Sequence, residues 1–211
     1  MKKKLLITRK LLKENEDKLK ELFDVKLNVN DEIYTADKIL ELSKDCDGIL
    51  CAVTDKFNNE LINKLSPSIK IIANYAVGYG NIDVNAAKEK NIVVTNTPEV
   101  LDDSTADVSI LLLLGASRKV LEARRAAERQ DWKWSADFML GKQMSNKRLG
   151  ILGMGRIGRA VAKRARGFNM EIHYHNRSQL SKDLEEGAIY HKTVKDLFNC
   201  SDFLSINCPA T

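Results

Sequence analysis

The 211 residues suffice for one large domain or two modest ones, and with 44% apolar and 30% charged residues the composition is that of a soluble globular chain. A net charge of +5 spread along the chain, 6% aromatics and no nucleic-acid motif argue against a nucleic-acid binder; the basic clusters at Lys2-Lys3-Lys4 and between 156 and 166 read as solvated faces and helix-end charges. Cys46, Cys51, Cys200 and Cys208 show neither metal spacing nor a disulfide framework, so no metal is expected and the reading is cytoplasmic. Leu5-Leu6-Ile7 is too short for a signal core, and Leu111–Leu114 falls far below the roughly 20 apolar residues that span a bilayer.

Residues 4–8 form an apolar strand, and Leu11, Leu12, Leu19, Leu22 and Phe23, separated by charges, form an amphipathic helix. Residues 25–29 alternate as a strand. Thr35 caps the next helix, whose inner face carries Ile39, Leu40 and Leu42. The continuous apolar run of residues 49–53 is typical of a parallel strand covered on both faces. A short helix over 58–65 stops before Pro67, and strands at 69–75 and 91–95 flank a helix over 84–90. Five strands alternating with helices predict a parallel sheet wrapped on both sides, a domain of residues 1–98 with Pro98 at its edge.

From Glu99 a long helix is predicted through Val120, almost apolar all round at Val108, Ile110 and Leu111–Leu114, and such a helix must be buried, against another domain or a second subunit. A polar segment with Trp132, Trp134 and Phe138 follows. Arg148–Leu152 is then a strand running into Gly153-Met154-Gly155-Arg156-Ile157-Gly158, followed by a helix to Gly167 and a second strand over 170–174. Here the glycines suit a sharp turn at Gly153, approach of bare backbone to a pyrophosphate at Gly155 and close helix packing at Gly158, with the phosphates on the N–H groups of the helix start. Residues 99–211 are therefore a dinucleotide-binding domain.

The end of the second strand reads His175-Asn176-Arg177-Ser178, where an NAD site usually has Asp or Glu. A carboxylate about 4 Å from a 2′-phosphate would cost roughly 4 kcal/mol per unit charge at an effective dielectric near 20. Neutral Asn176 removes that repulsion, Arg177 offers a forked donor and Ser178 a further one, which predicts NADP(H) in preference to NAD(H). Short helices over 180–186 and 194–198, an apolar touch at 188–189 and a strand over 203–206 follow. A full double unit needs roughly a hundred more residues, so the chain is expected to be part of a longer one.

Residues 74–83, Thr95-Asn96-Thr97-Pro98, Ser104-Thr105-Ala106-Asp107, the 152–158 turn and residues 205–211 together resemble the D-2-hydroxyacid dehydrogenases, in their glyoxylate/hydroxypyruvate reductase branch. The resemblance implies a flavodoxin-like substrate domain followed by the first part of a Rossmann domain. It implies that the backbone at Val77 and Gly78 holds the carboxylate of a small 2-keto or 2-hydroxy acid, with Val53 and Thr54 lining the same pocket. Thr105 then lies beside the nicotinamide, Arg156 and Ile157 at the pyrophosphate, and Cys208 and Pro209 along the nicotinamide ribose. The family's catalytic Arg, Glu and His match nothing up to Thr211, so these 211 residues are expected to be inactive alone. His173, His175 and His191 read as structural or exposed. The expected assembly is a homodimer, with no membrane partner. The alternative is a non-catalytic dinucleotide-sensing module of the corepressor kind.

Overall fold

The computed structural model describes residues 2–130 and 132–208, which divide into two compact units, Met1–Val100 and Leu101–Thr211. In the first, strands β1 (Lys4–Ile7), β2 (Asp24–Lys26), β3 (Gly48–Ala52), β4 (Ile71–Tyr75) and β5 (Val93–Thr95) alternate with helices α1 (Lys13–Leu22), α2 (Ala36–Ser43), α3 (Asn59–Lys64) and α4 (Val84–Glu89). All pairings are parallel, in the order β2-β1-β3-β4-β5, the flavodoxin-like order. Leu6, Ile49, Ile72 and Phe57 are its buried centre. Thr35 starts α2 as the sequence predicts, accepting from the N–H of Lys38, and Asn58 and Asp83 do the same for α3 and α4, accepting from the N–H of Leu61 and from those of Asn85 and Ala86. The strand expected over 25–29 is shorter, because only Asp24–Lys26 finds a partner in β1.

The second unit contains α5 (Asp102–Ser117), α6 (Val120–Arg129), β6 (Arg148–Leu152), α7 (Arg156–Arg166), β7 (Glu171–His175), α8 (Lys182–Glu185), β8 (Ile189–Tyr190), α9 (Val194–Cys200) and β9 (Phe203–Ile206). Its sheet is parallel in the order β8-β7-β6-β9, the arrangement of the first half of a Rossmann sheet. Leu149, Ile151, Val161, Ala165 and Tyr174 fill its core.

One expectation for residues 99–147 is corrected. The long helix does not run unbroken through Val120: it ends at Ser117, Lys119 takes a left-handed conformation (φ 53°), and the carbonyl of Ser117 accepts from the N–H of Lys142, while a second helix, α6, occupies part of the stretch read from the sequence only as polar. Within this unit the apolar helix is covered on one side. Ala106, Ile110, Leu113 and Leu114 pack on the core, but Leu111 and Leu112 are each 66% exposed and Val108 52%. Among the described residues, no helix is long and apolar enough to cross a membrane.

Candidate functional site

The carboxyl end of β6 opens into the glycine turn. Gly153 has φ +94°, which favours glycine, and a Cβ there would stand 2.7 Å from the backbone N of Cys208 and 2.9 Å from the carbonyl carbon of Asn207. At Gly158 a Cβ would meet the carbonyl oxygen of Gly153 at 2.3 Å, so α7 can lie against the turn only without a side chain. Gly155 differs: nothing lies within 4 Å of its Cβ position. It is also the N-cap of α7 and supplies no side-chain cap, so the positive end of this 11-residue helix faces open space that a methyl group would begin to fill. A pyrophosphate fits there.

The turn is closed by the residue expected beside the adenine ribose. Asn176 Oδ1 accepts from the N–H of Met154 at 2.7 Å, and the N–H of Gly153 bonds the carbonyl of His175 at 3.0 Å. The Asn176 side chain thus has a structural partner beyond the neutrality read from the sequence. Arg177 and Ser178 follow on the surface, and neither side chain makes a hydrogen bond or ion pair among the described residues. The loop carrying them is braced from below. Glu185, buried at the end of α8, accepts from Tyr174 Oη (2.8 Å), Gln179 Nε2 (2.7 Å) and Lys182 Nζ (2.8 Å), and the N–H of Leu180 donates to Tyr174 Oη. Lys182, then Gln179 and Tyr174, hold the Glu185 carboxyl down to about 2.

Cys208 is exposed and its backbone passes the glycine turn, with the N–H of Asn207 on the carbonyl of Leu152. Pro209 lies outside the described residues. Thr105 sits in the first turn of α5, half-buried, where its carbonyl accepts from Ser109 Oγ and its hydroxyl has no partner among the described residues.

In the first unit, the loops after β3 and β4 meet. Asn74, buried, donates to the carbonyl of Gly78 (2.9 Å) and to Asn81 Oδ1 (3.1 Å), while Asn81 Nδ2 reaches the carbonyls of Ala52 (3.2 Å) and Asp55 (3.1 Å). Asn96 Nδ2 donates to the carbonyl of Val77 at 2.8 Å. The carbonyls of Val77 and Gly78 are thereby tied down, and their N–H groups donate to nothing among the described residues, the arrangement that suits an anion. Val53 and Thr54 are exposed on the neighbouring loop, with Arg9 Nη1 donating to Thr54 Oγ1 (2.7 Å) and the same guanidinium forked on Asp31. Arg9 holds the Asp31 carboxyl down to about 2. The sequence marks Asn74, Asn81 and Asn96 only as parts of the matching stretches and gives no signal for Arg9. A cleft of about 810 Å³ by Lys147 and Phe203 lies at the amino ends of β6 and β9, away from the carboxyl ends where ligands of such sheets bind.

With this geometry the comparisons agree. The family model for the D-isomer specific 2-hydroxyacid dehydrogenase NAD binding domain matches residues 110–211. A glyoxylate reductase of Korarchaeum cryptofilum is 38% identical over 213 residues, covering 100% of this chain and 64% of its own. The solved glyoxylate reductase of Paecilomyes thermophila has a TM-score of 0.84 at 35% identity, covering 100% of this chain and 66% of that one. This chain belongs to the D-isomer specific 2-hydroxyacid dehydrogenases. A third relative in the family, the NADPH-dependent glyoxylate/hydroxypyruvate reductase of Sinorhizobium meliloti solved with NADP and malonate, has a TM-score of 0.83 at 28% identity, over 100% of this chain and 64% of that one. The chain spans 64 or 65% of the length of the first curated relatives it matches. The family's NAD-binding domain accounts for the glycine turn, the uncapped start of α7 and the half-Rossmann strand order together.

Proposed function

We propose that the protein containing this chain reduces a small 2-keto acid of the glyoxylate or hydroxypyruvate type to the D-2-hydroxy acid with NADPH, in the cytoplasm. The observation that carries the cofactor choice is the pair at the end of β7: a neutral Asn176 locked to the turn, and beside it an exposed Arg177 whose guanidinium is unengaged among the described residues. Gly153, Gly155, Arg156, Ile157 and Gly158 hold the pyrophosphate, Arg177 and Ser178 the 2′-phosphate, and Thr105, Cys208 and Pro209 border the nicotinamide end. When bound, the nicotinamide supplies the hydride. Val77 and Gly78 N–H groups fix the substrate carboxylate, with Val53 and Thr54 at its side. The S. meliloti relative, which holds NADP and malonate, supports both halves of this reading.

His173, His175 and His191 all gather along β7 and the end of β8, each bonded to other protein groups, and none is placed as the proton donor. The 211 residues by themselves accordingly bind the dinucleotide without turnover. The exposed face of Val108, Leu111 and Leu112 on α5 is covered by a second copy in a homodimer, since an apolar patch of this kind marks a contact surface. Titrating NADPH and NADH side by side tests the reading: NADPH binds at least tenfold tighter, and equal affinities overturn it. Sedimentation of wild type against Leu111→Glu reads the dimer, and an unchanged mass overturns that part.

A further inference from the structure

On the face of the second sheet covered by α9, the alternation of β7 lines up Glu171, His173 and His175. The ring of His173, 6% exposed, meets two side chains from further along the chain: its Nδ1 lies 2.9 Å from His191 Nε2, and Cys200 Sγ lies 3.4 Å from that same Nε2. The three donor atoms all fall within 4.8 Å of one another. We propose that His173, His191 and Cys200 form a binding site for a borderline-soft divalent d-block ion, with Zn²⁺ as the natural occupant, that pins α9 to β7.

The groups behind the donor atoms support this. His173 Nε2 bonds Glu171 Oε1 at 2.5 Å, which fixes the tautomer with the proton on Nε2 and leaves the Nδ1 lone pair directed at His191 and Cys200. A carboxylate behind a ligand histidine is the usual companion of a metal site and raises the basicity of the ligating nitrogen. His191 is itself held at both main-chain ends, its N–H on the carbonyl of Tyr174 (2.8 Å) and its carbonyl receiving His175 Nδ1 (2.8 Å). Burial, and then the nearby His173, lower the pKa of His191 from its ordinary 6.5. Two imidazole nitrogens and one thiolate are a zinc-type donor set, and the half-exposed His191 and Cys200 leave room for water as fourth ligand.

Two nitrogens on one tetrahedral zinc stand about 3.3 Å apart and a nitrogen and a sulfur about 3.5 Å. The His191–Cys200 pair already stands at 3.4 Å and the two imidazoles, at 2.9 Å, must part by a few tenths of an ångström, while His173 Nδ1 and Cys200 Sγ, which lie within 4.8 Å, are brought together by rotation of the Cys200 side chain. Without metal, His191 Nε2–H donates to His173 Nδ1 and the thiol of Cys200 donates to the carbonyl of Leu197 (3.1 Å). On binding, the thiol proton leaves to solvent, His191 moves its proton to Nδ1, and one proton is released per ion. Cysteine spacing gave no hint of this, because two of the donors are histidines and the set spans 28 residues.

Cobalt(II) titration of the 211-residue chain tests the proposal. One equivalent should produce a thiolate-to-cobalt charge-transfer band with the intense visible bands of four-coordinate cobalt; Zn²⁺ should bleach them, and excess Mg²⁺ should not. Cys200→Ser should abolish the charge-transfer band, His191→Asn should weaken Zn²⁺ binding at least tenfold, and Cys208→Ser, which removes the exposed alternative thiol, should change neither. On wild type alone, Zn²⁺ should slow alkylation of Cys200 at least tenfold as mapped by mass spectrometry, a readout independent of how the variants fold. Absence of the band in wild type, its survival in Cys200→Ser, or alkylation of Cys200 unaffected by Zn²⁺ would each overturn the site.

Discussion

In Met1–Val100 the loop after β4 is braced by side-chain amides, whereas in Leu101–Thr211 the turn after β6 is shaped by side chains that are missing. Asn74, Asn81 and Asn96 hold the carbonyls of residues 52, 55, 77 and 78 from several directions. Gly153 and Gly158 hold theirs by letting backbone approach backbone, at distances no Cβ could share. Both solutions turn main-chain N–H groups outward. The first depends on hydrogen bonds that can be deleted one at a time, the second on space that can only be filled, so the two should fail differently under substitution.

The largest effect is expected at Gly158→Ala, where the new methyl meets the Gly153 carbonyl at 2.3 Å and α7 has to shift. Overpacking of this kind costs about 3 kcal/mol, and the urea midpoint read by circular dichroism should fall accordingly. Gly155→Ala sharpens the contrast: with nothing within 4 Å, stability should stay within about 0.5 kcal/mol while NADPH affinity drops about tenfold. Equal destabilisation by the two substitutions would remove the distinction between packing glycine and ligand glycine. Asn74→Ala comes next. It strips the buried donor from the Gly78 carbonyl and breaks the Asn81 pair, for a loss of about 2 kcal/mol measured in the same assay. A midpoint within error of wild type would show that water replaces the amide and that the loop is not built as described.

The glycine turn was legible because its determinants are contiguous: three glycines in six residues, a strand before and a helix after. The amide brace was not, since its members are spread from residue 52 to residue 96 and asparagine in a loop is common for local reasons. The same holds for α6. Its sequence, VLEARRAAER, has three small alanines where a stripe of large apolar residues would have marked a helix, and its ends are left-handed Lys119 and Gln130 where glycine would have been the signal. The break after Ser117 depends on Lys142, 25 residues away. Asn176 lay between these cases: its position was plain from the motif, but its bond to Met154 required the coordinates.

That bond makes Asn176→Asp a clean probe of charge, because an aspartate oxygen can still accept from the Met154 N–H. The fold should be unchanged. NADPH should bind about tenfold more weakly, through repulsion of the 2′-phosphate, with NADH no weaker than in wild type. A variant that loses both cofactors equally would mean that the residue serves the turn alone.

The smallest effect separates a charged brace from a neutral one. The Asn74–Asn81–Asn96 brace has no titrating group, while the 176–181 loop rests on Glu185, whose folded pKa of about 2 lies below its ordinary 4.5. A depressed carboxyl stabilises the folded state fully above its unfolded value, and that contribution is lost as pH falls from about 4.5 through about 2. Glu185→Gln keeps an acceptor for Tyr174 and Gln179 but gives up the charge that Lys182 pairs, at 2.8 Å. The variant should therefore be slightly less stable than wild type at pH 7 and should converge on it towards pH 2, giving a shallower acid limb when unfolding midpoints are plotted against pH. Parallel limbs would assign the acid sensitivity to the exposed pairs, Arg9–Asp31 and Arg148–Asp202, whose carboxyls are also held down to about 2. A Glu185 carboxylate that stabilises the loop holds Arg177 in place from behind, so the NADPH-to-NADH preference of Glu185→Gln should narrow without the guanidinium itself being touched.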